Sequence, residues 1–203
     1  MNFFISDMHF FHERLLGKND FAPRIFKDVI EMNQQLIDSW NAVVKDTDHV
    51  YHLGDLAMHP QYEKGSAEVL SLVRQLKGTI HFIKGNHDSR AFFRYLKQHD
   101  PGIAGSSKKF YFYDVGAIVK FNHHQYYLTH YPMLLGVNEQ IRNLHGHIHN
   151  YSVPISKDVN VGVDAPERKM LERSLPFGTP LSENNIEEIY EKKETELKRL
   201  QEM

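Results

Sequence analysis

The chain has 203 residues, and 24 Lys and Arg against 26 Asp and Glu give it a formal net charge of −2. This balance argues against a protein whose main role is to coat nucleic acid or an anionic membrane. The chain contains no cysteine, which excludes a disulfide scaffold and a thiolate metal site and favours a cytoplasmic location. We expect one domain over residues 1–203, without a signal peptide or a membrane span.

The first half of the chain alternates predicted strands and helices. Short apolar runs predict three buried strands, at 2–6, 49–53 and 79–83. Helical patterns lie between and after these strands, at 27–45, 66–76 and 88–97. Ser66 is the expected N-cap of the second helix.

The second half is richer in strands. Aromatic and β-branched runs at 110–114, 117–121 and 125–129 predict a meander, and further strands are predicted at 141–145 and 159–163. This order predicts an α/β fold of two packed sheets with outer helices. The Glu- and Lys-rich segment 181–203 predicts a helix docked on the body, in preference to a coiled-coil partner helix.

Five of the apolar runs end in side chains of the kind that bind metal ions. Open α/β sheets place their sites at the carboxyl ends of strands, so these side chains are expected to share one rim. Oxygen and imidazole ligands suit divalent ions, and two ions about 3.5–4 Å apart can clamp a phosphoryl group. Asp55 follows a glycine that permits close backbone approach, which makes it the best candidate for a carboxylate that bridges two ions. The candidate residues are Asp7, His9, Asp55, Asn86, His87, Asp88, His130, His147 and His149.

The order and spacing of these motifs resemble the calcineurin-like metallophosphoesterase family, from residue 7 to residue 149. The resemblance implies a four-layer α/β/β/α sandwich of two mixed β-sheets flanked by helices. It also implies two divalent or transition metal ions, Mn or Fe in first place and Zn, Ni or Co as alternatives. The first ion would bind Asp7, His9, Asp55 and His149, and the second would bind Asp55, Asn86, His130 and His147.

The same resemblance implies roles for two further residues. A hydroxide held by both ions would attack phosphorus, while His87 would stabilise the developing charge or protonate the leaving oxygen. Asp88 would accept a hydrogen bond from His87 and fix its tautomer. Because Leu56 follows Asp55 where the phosphoprotein phosphatases have a second Asp, the chain is more similar to the small prokaryotic and phage-type phosphoesterases.

These features predict a metal-dependent phosphodiesterase acting on a nucleotide-like phosphoester or a nucleic-acid end, with no membrane partner. A phosphomonoesterase and a nuclease with the same site are the alternatives within the enzyme class. A non-catalytic metal-binding scaffold is the alternative outside it, and the presence of His87 argues against it.

Four other features remain open to interpretation. His12 is as consistent with the cleft as with an exposed loop, and Arg24 is expected in a salt bridge or in solvent rather than on a substrate phosphate. The basic and aromatic run 108–113 is expected to be an ordinary strand rather than a nucleic-acid surface. Segment 164–178 is expected to be a loop insertion near the cleft or at a self-association surface, and the second interpretation implies a homo-oligomer.

Overall fold

The computed structural model describes residues 1–58, 63–106 and 108–202, with the side chains of all of these except 63 and 64. The helices in these ranges are α1 (Val29–Val43), α2 (Glu63–Val73), α3 (Arg90–Gln98) and α4 (Glu183–Gln201), with short 3-10 helices at Glu13–Leu15 and Pro166–Met170. The strands are β1 (Asn2–Ile5), β2 (His49–His52), β3 (Thr79–Ile83), β4 (Phe110–Tyr113), β5 (Gly116–Phe121), β6 (His124–Thr129), β7 (Ile141–His145), β8 (Asp158–Asn160) and β9 (Leu181–Ser182).

The strands form two mixed sheets. The first sheet has the order β4-β3-β2-β1-β9, in which β1 to β4 are parallel and β9 is antiparallel to β1. The second has the order β5-β6-β7-β8, with an antiparallel β5–β6 hairpin followed by parallel β7 and β8. Two mixed sheets with flanking helices confirm the predicted fold class.

Two apolar cores hold these layers together. Side chains alternate across β1, so Phe3 and Ile5 belong to the core under α1, α2 and α3, whereas Phe4 belongs to the second core. The second core joins the two sheets through residues such as Leu128 and Leu144, and it also contains Ile186 and Ile189 of α4.

Helix α1 illustrates how the sequence determines a layer. Asp28 is its N-cap and accepts hydrogen bonds from the backbone N–H groups of Ile30 and Glu31, at 3.0 and 2.9 Å. Met32, Leu36 and Trp40 follow at a spacing of four residues and are fully buried. This face covers the first sheet and holds the parallel strands in place.

Three sequence expectations need correction. The predicted meander is wrong because β4 pairs with β3 in the first sheet, and the chain changes sheet before Gly116. Periodicity in the sequence does not identify a strand's partner. In the structure, Phe112 stacks on Phe82 and Phe110 meets the same ring edge-on, at the first core. Ser66 lies inside α2 and is not its N-cap. Finally, β8 ends at Asn160 instead of continuing to residue 163.

Segment 164–178 is packed onto the body through one of its basic residues. The Arg168 guanidinium donates to the carbonyl oxygens of Gly162, Thr179 and Val161, at 2.7, 2.8 and 3.2 Å. Burial lowers the pKa of Arg168 to about 10. Arg168 therefore serves an internal role, whereas Lys169 and Arg173 of the same segment are exposed. Across the ranges described above, the structure has no helix that is both long and apolar enough to span a membrane.

Candidate metal centre

The loops that follow the strands are joined edge to edge by backbone hydrogen bonds. The N–H of Asp7 donates to Gly54 O at 3.0 Å, and the N–H of His9 donates to Asp55 O at 3.1 Å. In the second sheet, the N–H of Gly146 donates to His130 O at 3.0 Å. These contacts align the loops within each sheet, because parallel strands end at one edge. The N–H of His147 donates to Asp7 Oδ2 at 3.0 Å and joins the loops of the two sheets at a single rim.

Six of the seven predicted ligands form two compact groups, and the seventh lies beside one of them. In each group one candidate ligand atom per residue lies within 4.8 Å of the others; the groups are Asp7, His9, His149 and Asp55, His130, His147. Asn86 Oδ1 is 2.8 Å from His130 Nε2, which places Asn86 beside the second group. The structure thus brings all seven side chains together, while their role as ligands stays a prediction.

Asp55 belongs to the second group and also lies close to the first. Its Oδ2 is 3.6 Å from His9 Nε2 and 3.5 Å from His130 Nε2, and its Oδ1 accepts the N–H of His87 at 2.8 Å. His9 and His149 also approach each other, with 3.3 Å between their Nε2 atoms. A carboxylate of one group that also approaches an imidazole of the other has the arrangement expected of a bridging ligand.

The backbone at this rim is in an unusual conformation. Five of the seven predicted ligands have a positive φ between 46° and 70°, namely Asp7, His9, Asp55, His147 and His149. Such a conformation is rare outside glycine and costs on the order of 1–3 kcal/mol per residue. Strain of this kind concentrates at functional sites, and here it turns the side chains inward just after the strands end.

Two glycines allow the loops to approach so closely. A Cβ at Gly85 would lie 2.2 Å from Asp55 Oδ1, and a Cβ at Gly146 would lie 2.4 Å from Asp7 Oδ2 and 2.0 Å from Ser6 Oγ. Any other residue at either position would push a predicted ligand out of place.

The electrostatics of the rim favour bound cations. Asp7 and Asp55 are both buried, and burial is the largest effect that raises the pKa of Asp7, to about 7. Burial also lowers the pKa of His9, of His130 and of His147. The imidazoles are therefore neutral and free to coordinate, while the buried carboxylates need positive charge nearby. This donor set fits two divalent ions of borderline or hard character.

An aspartate that was not predicted orients one of the imidazoles. Asp164 Oδ2 lies 3.0 Å from His149 Nδ1, and the buried Arg24 holds the same carboxylate at 2.7 Å through Nη2 and 3.1 Å through Nε. Burial acts to raise the pKa of Asp164, but Arg24 and the hydrogen bonds hold it below its ordinary value. The salt-bridge interpretation of Arg24 is confirmed, although this side chain is buried.

These contacts leave the Nε2 atom of each imidazole facing the cluster. The carbonyl of Leu53 has the same role for His130, at 2.8 Å from Nδ1. The sequence contained one signal for Asp164, which ends an apolar run as Asp7 and Asp55 do. Arg24 has no comparable signal in the sequence.

His87 and Asp88 have different surroundings. The His87 side chain is 40% exposed, and its Nε2 is 4.0 Å from Asp55 Oδ2. Asp88 is buried and accepts the N–H groups of Gly85, Asp55 and Leu56, at 2.9, 2.8 and 3.1 Å. The predicted hydrogen bond from His87 to Asp88 is wrong: the Asp88 oxygens accept these backbone N–H groups, and His87 does not donate to them. Asp88 fixes the loops around the cluster instead.

Two of the open sequence interpretations are decided by these contacts. His12 faces the cleft, with its Nδ1 3.4 Å from that of His9, and burial lowers its pKa to about 4. In the basic and aromatic run, Lys109 is buried and donates to the carbonyls of Arg74 and Leu76, while Phe110 lies in the first core. That run is an ordinary strand, as expected.

Comparison with known proteins agrees with this geometry. The calcineurin-like phosphoesterase family model matches residues 3–192. An uncharacterized protein of Methanocaldococcus jannaschii, MJ1445, is 35% identical over 168 residues, which cover 78% of this chain and 88% of that protein. The gene 66 protein of Mycobacterium phage L5 is 34% identical over 85 residues, 42% of this chain and 38% of that protein.

A solved structure shares the fold. The protein of unknown function AQ665 from Aquifex aeolicus superposes with a TM-score of 0.62 at 23% identity, over 93% of this chain and 98% of that one. The family match extends over nearly the whole chain and includes both groups of candidate metal ligands. The chain therefore belongs to the calcineurin-like phosphoesterase family and is a metal-dependent phosphoester hydrolase.

Proposed function

We propose that this protein is a phosphodiesterase that uses two divalent ions, Mn or Fe, and acts on a nucleotide-like phosphoester. The observation that supports this proposal most strongly is the position of His87. Its imidazole is 40% exposed and lies 4.0 Å from Asp55 Oδ2, while His9, His130 and His149 are buried. A proton donor at this position can reach a substrate that the buried imidazoles cannot.

Different residues of the site would have different roles. Bound ions would activate water and stabilise the charge of the phosphoryl group. Asp55 would keep the two ligand groups at a fixed spacing. Asp164 would keep His149 in the correct tautomer, and the Leu53 carbonyl would do the same for His130. His87 would donate a proton to the leaving oxygen.

Proton donation by His87 supports the cleavage of an unactivated phosphoester. The leaving oxygen of a biological phosphoester departs as an alkoxide, which is a poor leaving group unless it is protonated, so a general acid is worth about 10²–10⁴ in rate. A phosphomonoesterase with the same residues is the closest alternative. Comparing the hydrolysis of a diester with that of a monoester distinguishes the two activities.

A nuclease is a second candidate because of the surface of α3. Arg90, Arg94 and Lys97 are exposed on this helix, which begins two residues after the Gly85–Asp88 loop. With Phe93, Phe112 and Asp114 they line a surface cavity of about 310 Å³. A basic helix face of this kind can follow a phosphate backbone.

The deciding experiment compares hydrolysis of bis-p-nitrophenyl phosphate and p-nitrophenyl phosphate. Metal-stripped protein is supplied with Mn, Fe, Zn, Ni or Co, and Asp55→Asn is measured alongside. We expect metal-dependent cleavage of the diester that Asp55→Asn loses. Preference for the monoester would make the protein a phosphatase, and no cleavage with ions bound would support a non-catalytic scaffold.

The nuclease alternative has its own control. Arg90→Ala combined with Arg94→Ala should slow cleavage of single-stranded DNA and weaken its salt dependence, with no effect on bis-p-nitrophenyl phosphate. If the double substitution left the rate of DNA cleavage unchanged, as well as the rate of bis-p-nitrophenyl phosphate cleavage, the nuclease alternative would be removed.

A further inference from the structure

Two aromatic side chains lie against the metal cluster without belonging to either core. Phe21 is 42% exposed, and its ring centroid is 4.3 Å from that of His149 at an interplanar angle of 55°. The loop that carries Phe21 is fixed by the N–H of Phe21 donating to Asn19 Oδ1 at 3.2 Å. The N–H of Asn150 donates to Phe21 O at 3.4 Å and ties this loop to the one that follows His149.

Tyr131 has the equivalent position at the other ligand group. It is 51% exposed, and its ring centroid lies 4.5 Å from that of His147 and 5.0 Å from that of His130. The Thr129 hydroxyl donates to Tyr131 O at 2.6 Å and holds the loop in place. Each aromatic ring therefore covers one of the two ligand groups and presents much of its surface to solvent.

We propose that Phe21 and Tyr131 are the walls of a substrate subsite that stacks on a flat aromatic group of the phosphoester, such as a nucleobase. This inference rests on the proposed phosphodiesterase function. A phosphoryl group held at the cluster would place its substituents within reach of rings that lie only 4–5 Å from the imidazoles. A diester has two substituents, and the two rings lie at different ligand groups, so each arm has an aromatic partner.

Stacking is the interaction that suits these residues best. Base–aromatic stacking stabilises binding by about 1–3 kcal/mol per base and tolerates every base, because each has a π face. Neither ring brings a formal charge, so the subsite would select aromatic esters over small alkyl esters without reading a base sequence.

The test uses two esters with one leaving group: thymidine 5′-(p-nitrophenyl phosphate) and methyl p-nitrophenyl phosphate. One of Phe21→Leu and Tyr131→Leu should raise KM for the thymidine ester alone by about tenfold, in line with the loss of one stacked base. The other, whose ring lies beside the shared p-nitrophenyl group, should raise KM for both esters. An equal rise of KM for both esters in both variants would overturn the inference.

Two exposed residues provide matched controls. Leu134 is 87% exposed in the same loop as Tyr131, and Tyr151 is 59% exposed two residues after His149. Leu134→Ala and Tyr151→Leu should leave the preference for the thymidine ester unchanged. If Leu134→Ala lowers that preference as much as Tyr131→Leu does, the surface recognises apolar groups in general and the stacking inference is wrong.

A binding measurement separates this inference from the proposed activity. Calorimetry on metal-loaded His87→Asn compares adenosine 5′-monophosphate with ribose 5-phosphate, before and after each aromatic substitution. Affinity for the nucleotide should fall about tenfold in the variant that loses the ring beside its base, with no change for the sugar phosphate in either variant. If the wild-type protein hydrolyses neither ester, the proposed function fails, and this calorimetric comparison still decides the stacking inference. Equal losses for both ligands would contradict it.

Discussion

Two buried polar clusters lie close together in this molecule and balance their charges in different ways. The metal cluster contains the carboxylates of Asp7 and Asp55 among four imidazoles. The second, which we call the α4 cluster, consists of His145, Asp158, Glu167 and Lys193, all buried. In the α4 cluster, Lys193 Nζ donates to Glu167 Oε1 at 2.9 Å and to the backbone oxygen of Asp158 at 2.6 Å.

The comparison shows what a buried carboxylate requires. A charge removed from water needs a partner of opposite charge or it shifts its pKa. Lys193 provides that partner for Glu167. Near the metal cluster, Arg24 uses its donors on Asp164 and on the carbonyls of Asp7 and Met8, and the pKa of Asp7 rises to about 7. We infer that metal ions supply the missing charge.

The largest effect is expected from His87→Asn. Loss of the proton donor should lower kcat by about 10²–10⁴ for a diester with an alkoxide leaving group, and by less for a p-nitrophenyl ester, which leaves without protonation. Metal content should not change. His12→Asn is the control at the same rim, and an equal loss there would contradict a specific role for His87.

The α4 cluster can be broken without touching the metal cluster. Lys193→Met leaves Glu167 buried without its cation, and we expect the free energy of unfolding to fall by about 3–5 kcal/mol. Adding Glu167→Gln should recover most of this loss, because the buried charge is then removed. Chemical denaturation measures both variants. Lys192→Met alters a half-exposed pair with Glu188 on the same helix and should cost less than about 1 kcal/mol.

Asp164 should affect metal affinity more than chemistry. Asp164→Asn weakens the hold on His149, and loss of such a partner typically lowers metal affinity 10–100-fold. Metal titration of the metal-stripped wild-type and variant proteins measures this affinity. Asp158→Asn, in the α4 cluster, is the control; if it lowered metal affinity to the same extent, the two clusters would not be independent.

The smallest expected effect is the pH dependence of metal affinity. In the metal-free protein Asp7 has its pKa raised to about 7 by burial, so it holds a proton below that pH and must release it when an ion binds. Affinity should therefore fall by about tenfold for each pH unit below 7 and level off above it. Calorimetry in buffers of different ionisation enthalpy should detect release of about one proton at pH 6. Asp7→Asn should abolish that release, and an unchanged release would assign the proton to another group.

Much of this arrangement was predictable because it is local in the sequence. Asp7, Asp55 and His130 can be identified in the sequence because each directly follows an apolar run. A parallel sheet then brings such strand ends together. Helix α1 could be predicted from its spacing alone.

The remainder depends on contacts between distant segments. His145 and His147 are two residues apart in LHGHIH, yet His145 is in β7 and lies in the α4 cluster, while His147 follows Gly146 into a left-handed turn toward the metal cluster. Nothing local predicts that Arg24 pairs with Asp164, 140 residues away, or that β4 joins the first sheet. The wrong partner predicted for Asp88 also results from contacts between distant segments. Its hydrogen-bond donors are backbone N–H groups of two separate loops.

We propose that the metal cluster would hold two ions and that Asp55 would contact both. The metal content per chain tests this proposal and is measured by inductively coupled plasma mass spectrometry after saturation with Mn and removal of free metal. We expect two ions in the wild-type protein, two in His87→Asn, and one at most in Asp55→Asn. One ion or none in the wild-type protein, or two retained in Asp55→Asn, would contradict it.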